Sequence, residues 1–171
     1  MIVVGIDPGK SGGLVKIHSR NKECSLHKCP STTQGMASLL RTAKHSAFID
    51  DLPILVAIEK VHAFPTDARS AAFKFGMNYG MWLGIIGALS VPVIEIAPQT
   101  WMKSYAPLPK EKQERKRKIK EIAIEILSKV YNNEDRITYA VSDAALIALW
   151  CLNRGENEQI QIIPKHGNRR P

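Results

Sequence analysis

The sequence predicts an α/β protein built on a mixed, five-stranded sheet flanked by helices. Residues 2–6 form a β-branched run, and residues 12–18 and 23–29 have strand-like composition, so the chain opens as an antiparallel meander. Two later apolar runs, residues 53–59 and 91–97, alternate with segments of helical spacing. Strands first, then strands alternating with helices, is the pattern of a mixed α/β layer.

The first strand stops at Asp7-Pro8-Gly9, a turn signal. Residues 32–46 place Met36, Leu39, Leu40 and Ala43 at helical spacing. Residues 53–59 show no alternation, as expected of a central strand covered on both faces. Residues 67–90 read as a long helix with Asp67 at its N-cap. Gly76, Gly80, Gly84 and Gly87 lie within it, and each costs roughly 1 kcal/mol relative to alanine. Close approach of another backbone would explain them, from either the sheet beneath or a second subunit's helix. After the strand at 91–97 come Pro98-Gln99-Thr100-Trp101. Residues 111–131 form a helix whose inner face is Ile119, Ile122, Ala123, Ile126 and Leu127. The apolar helix at 139–152 carries Asp143 near its start. One domain over residues 1–155 and a short, loose basic tail over 156–171 are expected.

Against 16 Asp+Glu the chain carries 24 Lys+Arg, a net charge of +8 over 171 residues. A pI near 9.5 points to a nucleic-acid partner. No amphipathic anchor or lipidation signal supports an acidic membrane as the alternative, and the longest apolar stretch, residues 81–93, is too short to span a bilayer. Cys24, Cys29 and Cys151 are odd in number and include no CxxC pair, which argues against a disulfide framework and a zinc site. The first residues run straight into a strand without a basic n-region, so no signal peptide is expected. The expected setting is cytoplasmic, bacterial or phage-encoded, or another intracellular compartment that contains DNA.

Three acidic residues stand out by context. Asp7 ends the first strand, Glu59 ends the second buried one, and Asp143 opens an apolar helix. Carboxylates embedded in apolar runs need partners. If the two strands are parallel neighbours, Asp7 and Glu59 emerge at one sheet edge and a helix start can add the third. Converging carboxylates repel one another unless cations neutralise them, and hard oxygen ligands select Mg²⁺ or Mn²⁺. Two such ions about 4 Å apart can act on a phosphodiester. Taken singly, each residue has a plainer explanation: an Asx turn before Pro8, a strand-end surface residue, or an acid favoured by a helix dipole. Lys110, Lys112, Arg115, Lys116, Arg117 and Lys118 form a cluster that binds phosphates by counterion release, or else a solvated helix face.

In their order and spacing, Gly5-Ile6-Asp7-Pro8-Gly9, Ala57-Ile58-Glu59-Lys60-Val61 and Ser142-Asp143-Ala144-Ala145-Leu146-Ile147-Ala148 resemble the RuvC-type Holliday junction resolvases. The segment Ser70-Ala71-Ala72-Phe73-Lys74-Phe75-Gly76 resembles the start of that family's long helix, and the likeness spans roughly residues 1–153. It implies a ribonuclease H-like fold, a homodimer, Mg²⁺ dependence with Mn²⁺ substituting, and cleavage of four-way DNA junctions and related branched DNA. By the same resemblance Asp7, Glu59 and Asp143 are metal ligands. Lys103, after the Trp101-Met102 strand end, and Lys116 lie near the scissile phosphate. Phe64, with His62, stacks into the opened junction; the plainer alternative is Phe64 as a loop anchor in the core. Arg69 and Lys74 join the DNA-contacting cations.

The pattern departs from the family at one point. The family commonly has an acid or histidine three positions before the last aspartate, where this chain has Ala140, so the fourth ligand is either missing or supplied from elsewhere, with Asp135 a candidate. That departure fits a divergent, phage-type member. Two other functions compete. An actin-like or sugar-kinase-like nucleotide binder would use Asp7-Pro8-Gly9-Lys10-Ser11-Gly12-Gly13 as a phosphate turn, but needs a second such domain for which 171 residues leave no room. An rRNA-processing or non-catalytic nucleic-acid-binding relative would keep the fold and charge and change the chemistry.

Overall fold

Alternate side chains along a strand point to opposite faces of its sheet, so an unbroken apolar strand must be covered on both. The computed structural model describes residues 1–60, 68–131 and 137–158. In it β1 (Ile2–Asp7), β2 (Gly13–His18) and β3 (Glu23–Lys28) form the antiparallel meander. β4 (Ile54–Glu59) lies parallel to β1 on its other side, and β5 (Val93–Ile96) lies parallel to β4. The strand order β3-β2-β1-β4-β5 makes the two unbroken apolar strands neighbours inside the sheet.

The helices are α1 (Thr33–Ile49), α2 (Arg69–Ala88), α3 (Pro98–Met102), α4 (Lys112–Val130) and α5 (Tyr139–Glu158), with a 3₁₀ turn at Lys103–Tyr105. They divide between the two faces. Val4, Ile6, Val56 and Ile58 pack with Met36 and Leu40 of α1 and Trp82 and Ile86 of α2. Val3, Leu55 and Ala57 pack with Ile119 and Leu127 of α4 and with α5. α5 crosses β1 at Gly5, where an added Cβ would lie 2.2 Å from the Ala144 carbonyl oxygen and 2.4 Å from the Ala148 nitrogen. No other residue fits there, which explains a glycine inside a strand.

Several boundaries differ from the sequence expectation. α2 begins at Arg69 with Ala68 at its N-cap and no side-chain cap; Asp67 lies outside the described residues. Trp101 and Met102 are not a strand end: β5 stops at Ile96, and Pro98, whose fixed φ suits the first helical turn, starts α3 instead. α5 runs on to Glu158. The largest correction concerns the α2 glycines. The sheet does not approach them: the face of α2 toward the sheet carries Trp82 and Ile86, and a Cβ added at Gly76, Gly80, Gly84 or Gly87 would meet nothing within 4 Å. A close helix–strand approach occurs instead at Gly5, which the sequence did not single out. Cys24, Cys29 and Cys151 are not joined in disulfides. Among the described residues no helix is long and apolar enough to cross a membrane.

Candidate active site

β1 and β4 run parallel and in register through Gly5 opposite Ala57 and Ile6 opposite Ile58. The next residues on the two strands, Asp7 and Glu59, therefore leave the sheet side by side. By the alternation of side chains Asp7 shares a face with Val3, and Glu59 with Leu55 and Ala57, which is the face covered by α5. Asp143 sits one residue before Ala144, whose carbonyl rests against Gly5. Strand register, parity and one glycine contact thus bring the three acids together.

Each carboxylate is perturbed by its surroundings. Burial raises the pKa of Asp7, opposed by the Gly9 N–H, which donates to Oδ1 at 2.9 Å, and by the charge of Lys116. Asp7 is therefore an Asx-turn residue as well as a candidate ligand. Gly12 closes over it: a Cβ there would lie 2.5 Å from Asp7 Cγ. Glu59 is pushed up to about 7, first by burial and then by the charges of Asp7 and Asp143, against the N–H of Trp101. Asp143 is pushed up to about 6, by burial first and then by Asp7, against Lys116, the Ser142 hydroxyl and Arg115. Mutual repulsion among buried carboxylates is what a cation relieves, and the donor set is all hard oxygen. Among the described residues no three His, Cys, Asp or Glu side chains form a ready-made cation site. The acids act on one another through space rather than as a closed cage.

The predicted cations fare unequally. Lys116, on the second turn of α4, acts on both Asp7 and Asp143. Arg115 acts on Asp143 and anchors the loop before α4, its Nη1 donating to the Lys110 carbonyl at 2.7 Å and to that of Pro109 at 3.3 Å. Lys103 lines an open cavity of about 590 Å³ with Lys110 and Arg115. Lys112 is exposed at the start of α4. Arg117 and Lys118 are exposed and each lies 3.7 Å from a Glu121 oxygen. Such exposed pairs contribute little and leave the cations available. Arg69 is exposed in the first turn of α2, and Lys74 lines a second cavity with Lys10 and Asn78. His62, Phe64 and Asp135 lie outside the described residues, and Ala140 occupies the first turn of α5.

Three contributors went unnoticed in the sequence. Trp101, fully buried, donates its Nε1–H to Glu59 Oε1 at 3.0 Å. Tyr105 meets Trp101 edge-on and donates its hydroxyl to the Leu146 carbonyl at 2.8 Å, on α5. Asn78 of α2 donates to the Pro8 carbonyl and, at 3.4 Å, to Cys29 Sγ, fastening the turn that carries Asp7. The usable signal was the tryptophan itself, since a buried indole N–H usually finds an acceptor.

No family model and no curated protein matches the chain. Solved structures do. RuvC of T. thermophilus in complex with Holliday junction substrate is 19% identical with a TM-score of 0.58, covering 91% of this chain and 95% of that one. A second structure of Thermus thermophilus RuvC gives 20%, 0.56, 91% and 96%. The yeast mitochondrial Holliday junction resolvase Ydc2 is 15% identical with a TM-score of 0.48, covering 86% of this chain and 77% of its own. The fold is therefore ribonuclease H-like, of the RuvC kind, and RuvC matches it over nearly its whole length.

Proposed function

We propose that this protein is a divalent-cation-dependent, structure-selective endodeoxyribonuclease that resolves Holliday junctions and related branched DNA as a homodimer. The observation that carries the proposal is the convergence of Asp7, Glu59 and Asp143 at the end of the β1–β4 pair, beneath α5. The RuvC fold supports the substrate class, because the T. thermophilus protein of that fold was solved with a Holliday junction substrate.

Asp7, Glu59 and Asp143 would hold the cations, Mg²⁺ in preference and Mn²⁺ as a substitute. Bound cations supply Lewis acidity toward the phosphodiester and, as a pair, stabilise its attacking and leaving oxygens. The remaining work falls to the chain. Lys116 offsets negative charge building on the phosphate, from a position that already reaches Asp7 and Asp143. Lys110, Lys112, Arg115, Arg117 and Lys118 grip the backbone through phosphate contacts, which position the DNA without reading its sequence. Lys103 extends that grip along the cavity it shares with Lys110. Asp135 is proposed for the corner that Ala140 leaves open, and His62 and Phe64 for stacking on unpaired bases, worth roughly 1–3 kcal/mol per base.

The homodimer forms through α2. Its outer face presents Phe73 and Met77, 72% and 51% exposed, in line with Gly80 and Gly84. Glycines there allow a second helix to come close, and a symmetric junction needs two coordinated cuts. Such an activity belongs in an intracellular compartment that contains DNA, in a bacterium or its phage.

The test is a panel of labelled four-way junction, flap, linear duplex and structured RNA, each with Mg²⁺, Mn²⁺ or EDTA. Paired nicks in the junction, dependent on either cation, are expected. Cleavage of RNA alone, or cleavage of the junction in EDTA, would overturn the proposal.

A further inference from the structure

α3 and the 3₁₀ turn after it touch two of the three acidic elements at once. Trp101 is 0% exposed and its Nε1–H ends on Glu59 Oε1 at 3.0 Å. Tyr105 stands edge-on to that indole, ring centres 6.5 Å apart, and its hydroxyl ends on the Leu146 carbonyl, one turn along α5 from Asp143. The segment is therefore pinned to the end of β4 by one aromatic and to α5 by the next.

A buried indole does not require a carboxylate in this fold. Trp82 is equally buried, and its Nε1 has no hydrogen-bond partner among the described residues. Packing alone thus accounts for a tryptophan at position 82 but not for the direction of Trp101. A carboxylate swings freely about its last torsion unless one oxygen is held, and holding one oxygen aims the other. A donor that is itself rigid and enclosed holds best.

We infer that Trp101 is a positioning residue: its N–H fixes Glu59 Oε1 so that Oε2 is presented to the cation, with Tyr105 holding Trp101 and α5 in step. The inference rests on the proposed metal-dependent function and deepens it by naming what orients the Glu59 ligand. Groups that orient metal ligands by hydrogen bonding typically change metal affinity by about 10- to 100-fold when removed.

The experiment measures Mn²⁺ affinity of the whole protein without DNA, by calorimetry and by the spin-resonance signal of free Mn²⁺. Trp101→Phe, which removes the N–H, is expected to weaken Mn²⁺ binding about 10- to 100-fold, while junction binding in EDTA is unchanged and saturating Mn²⁺ restores cleavage. Trp101→His, which keeps a ring N–H, recovers part of the affinity. Since Trp101 acts through Glu59, Trp101→Phe added to Glu59→Gln brings no further loss, whereas a merely structural role gives losses that add. If either single variant fails to fold, the other, compared with and without Glu59→Gln, decides the question. Wild-type affinity retained in Trp101→Phe, or additive losses, would overturn this inference alone. Wild-type protein that binds no Mn²⁺ would overturn the metal-dependent function and this inference with it.

Discussion

Replacing Glu59 by glutamine is expected to stabilise the metal-free protein while abolishing cleavage. In the fold the Glu59 carboxyl is held near 7, against an ordinary 4.5, by burial and by Asp7 and Asp143. A carboxyl with a raised folded-state pKa binds its proton more tightly in the native protein than in the unfolded chain. Stability is therefore greatest below about pH 4.5 and is lost as pH climbs through about 7. At pH 8 the ionised group costs the fold on the order of 3 kcal/mol. Glutamine removes that cost and keeps an Oε1 acceptor for Trp101, but its amide N–H₂ needs a partner, which returns on the order of 1 kcal/mol. The net gain at pH 8 is about 2 kcal/mol, a rise of roughly 4–8 °C in Tm for a domain of this size. Calorimetric melts in EDTA from pH 4.5 to 8 should show the two proteins diverging across that window. Saturating Mn²⁺ should then raise the wild type and reverse the order, because only the wild type binds the ion strongly. A difference that does not vary with pH, or a variant less stable than wild type at pH 8, would refute the reasoning.

Gly5→Ala places a methyl 2.2 Å from the Ala144 carbonyl, so α5 must retreat by more than about 1 Å to restore ordinary contact. Overpacking of this kind typically costs about 1–3 kcal/mol, and displacing Asp143 by that distance should lower cleavage by about 100-fold; urea melts and single-turnover rates measure the two effects. Asp7→Asn should abolish cleavage yet leave junction binding intact in gel-shift assays, because asparagine keeps the Oδ1 acceptor for Gly9 while losing the charge that holds a cation and repels phosphate. A Cβ added at Gly80 meets no atom within 4 Å inside one protomer, so Gly80→Leu starts from open space and gains up to about 1 kcal/mol of helix propensity. Light scattering should therefore show a dimer for the wild type and a well-folded monomer for the variant, and a wild-type monomer would remove α2 as the interface.

The strands and most helices were legible because their periodicities are local: residues 2–6 and 54–58 are apolar without alternation, and Ile119, Ala123 and Leu127 recur one turn apart. The three acids were legible for a related reason, since a carboxylate closing an apolar strand or opening an apolar helix is conspicuous in one dimension. Lys116 and Lys103 show the limit of that method. Lys116 stands in a run of cations and Lys103 alone among apolar and polar neighbours, and neither setting says which lysine acts on the acids; the packing of α4 against α5 puts the charge of Lys116 within reach of Asp7 and Asp143. The α2 glycines did not say whether the sheet or open space lies against them, because a sequence carries spacing but not the direction in which a helix is rolled.

The opening prediction, a mixed five-stranded sheet flanked by helices, was thus determined by the sequence alone, since secondary structure and side-chain parity are properties of short segments. What only the tertiary structure decided is how the acids are held. The parallel register of β1 and β4 sets Asp7 beside Glu59, the bare Gly5 lets α5 bring Asp143 down, and Trp101 reaches across 42 residues to take a Glu59 oxygen. Those contacts join segments distant along the chain, and no periodicity encodes a partner that far away.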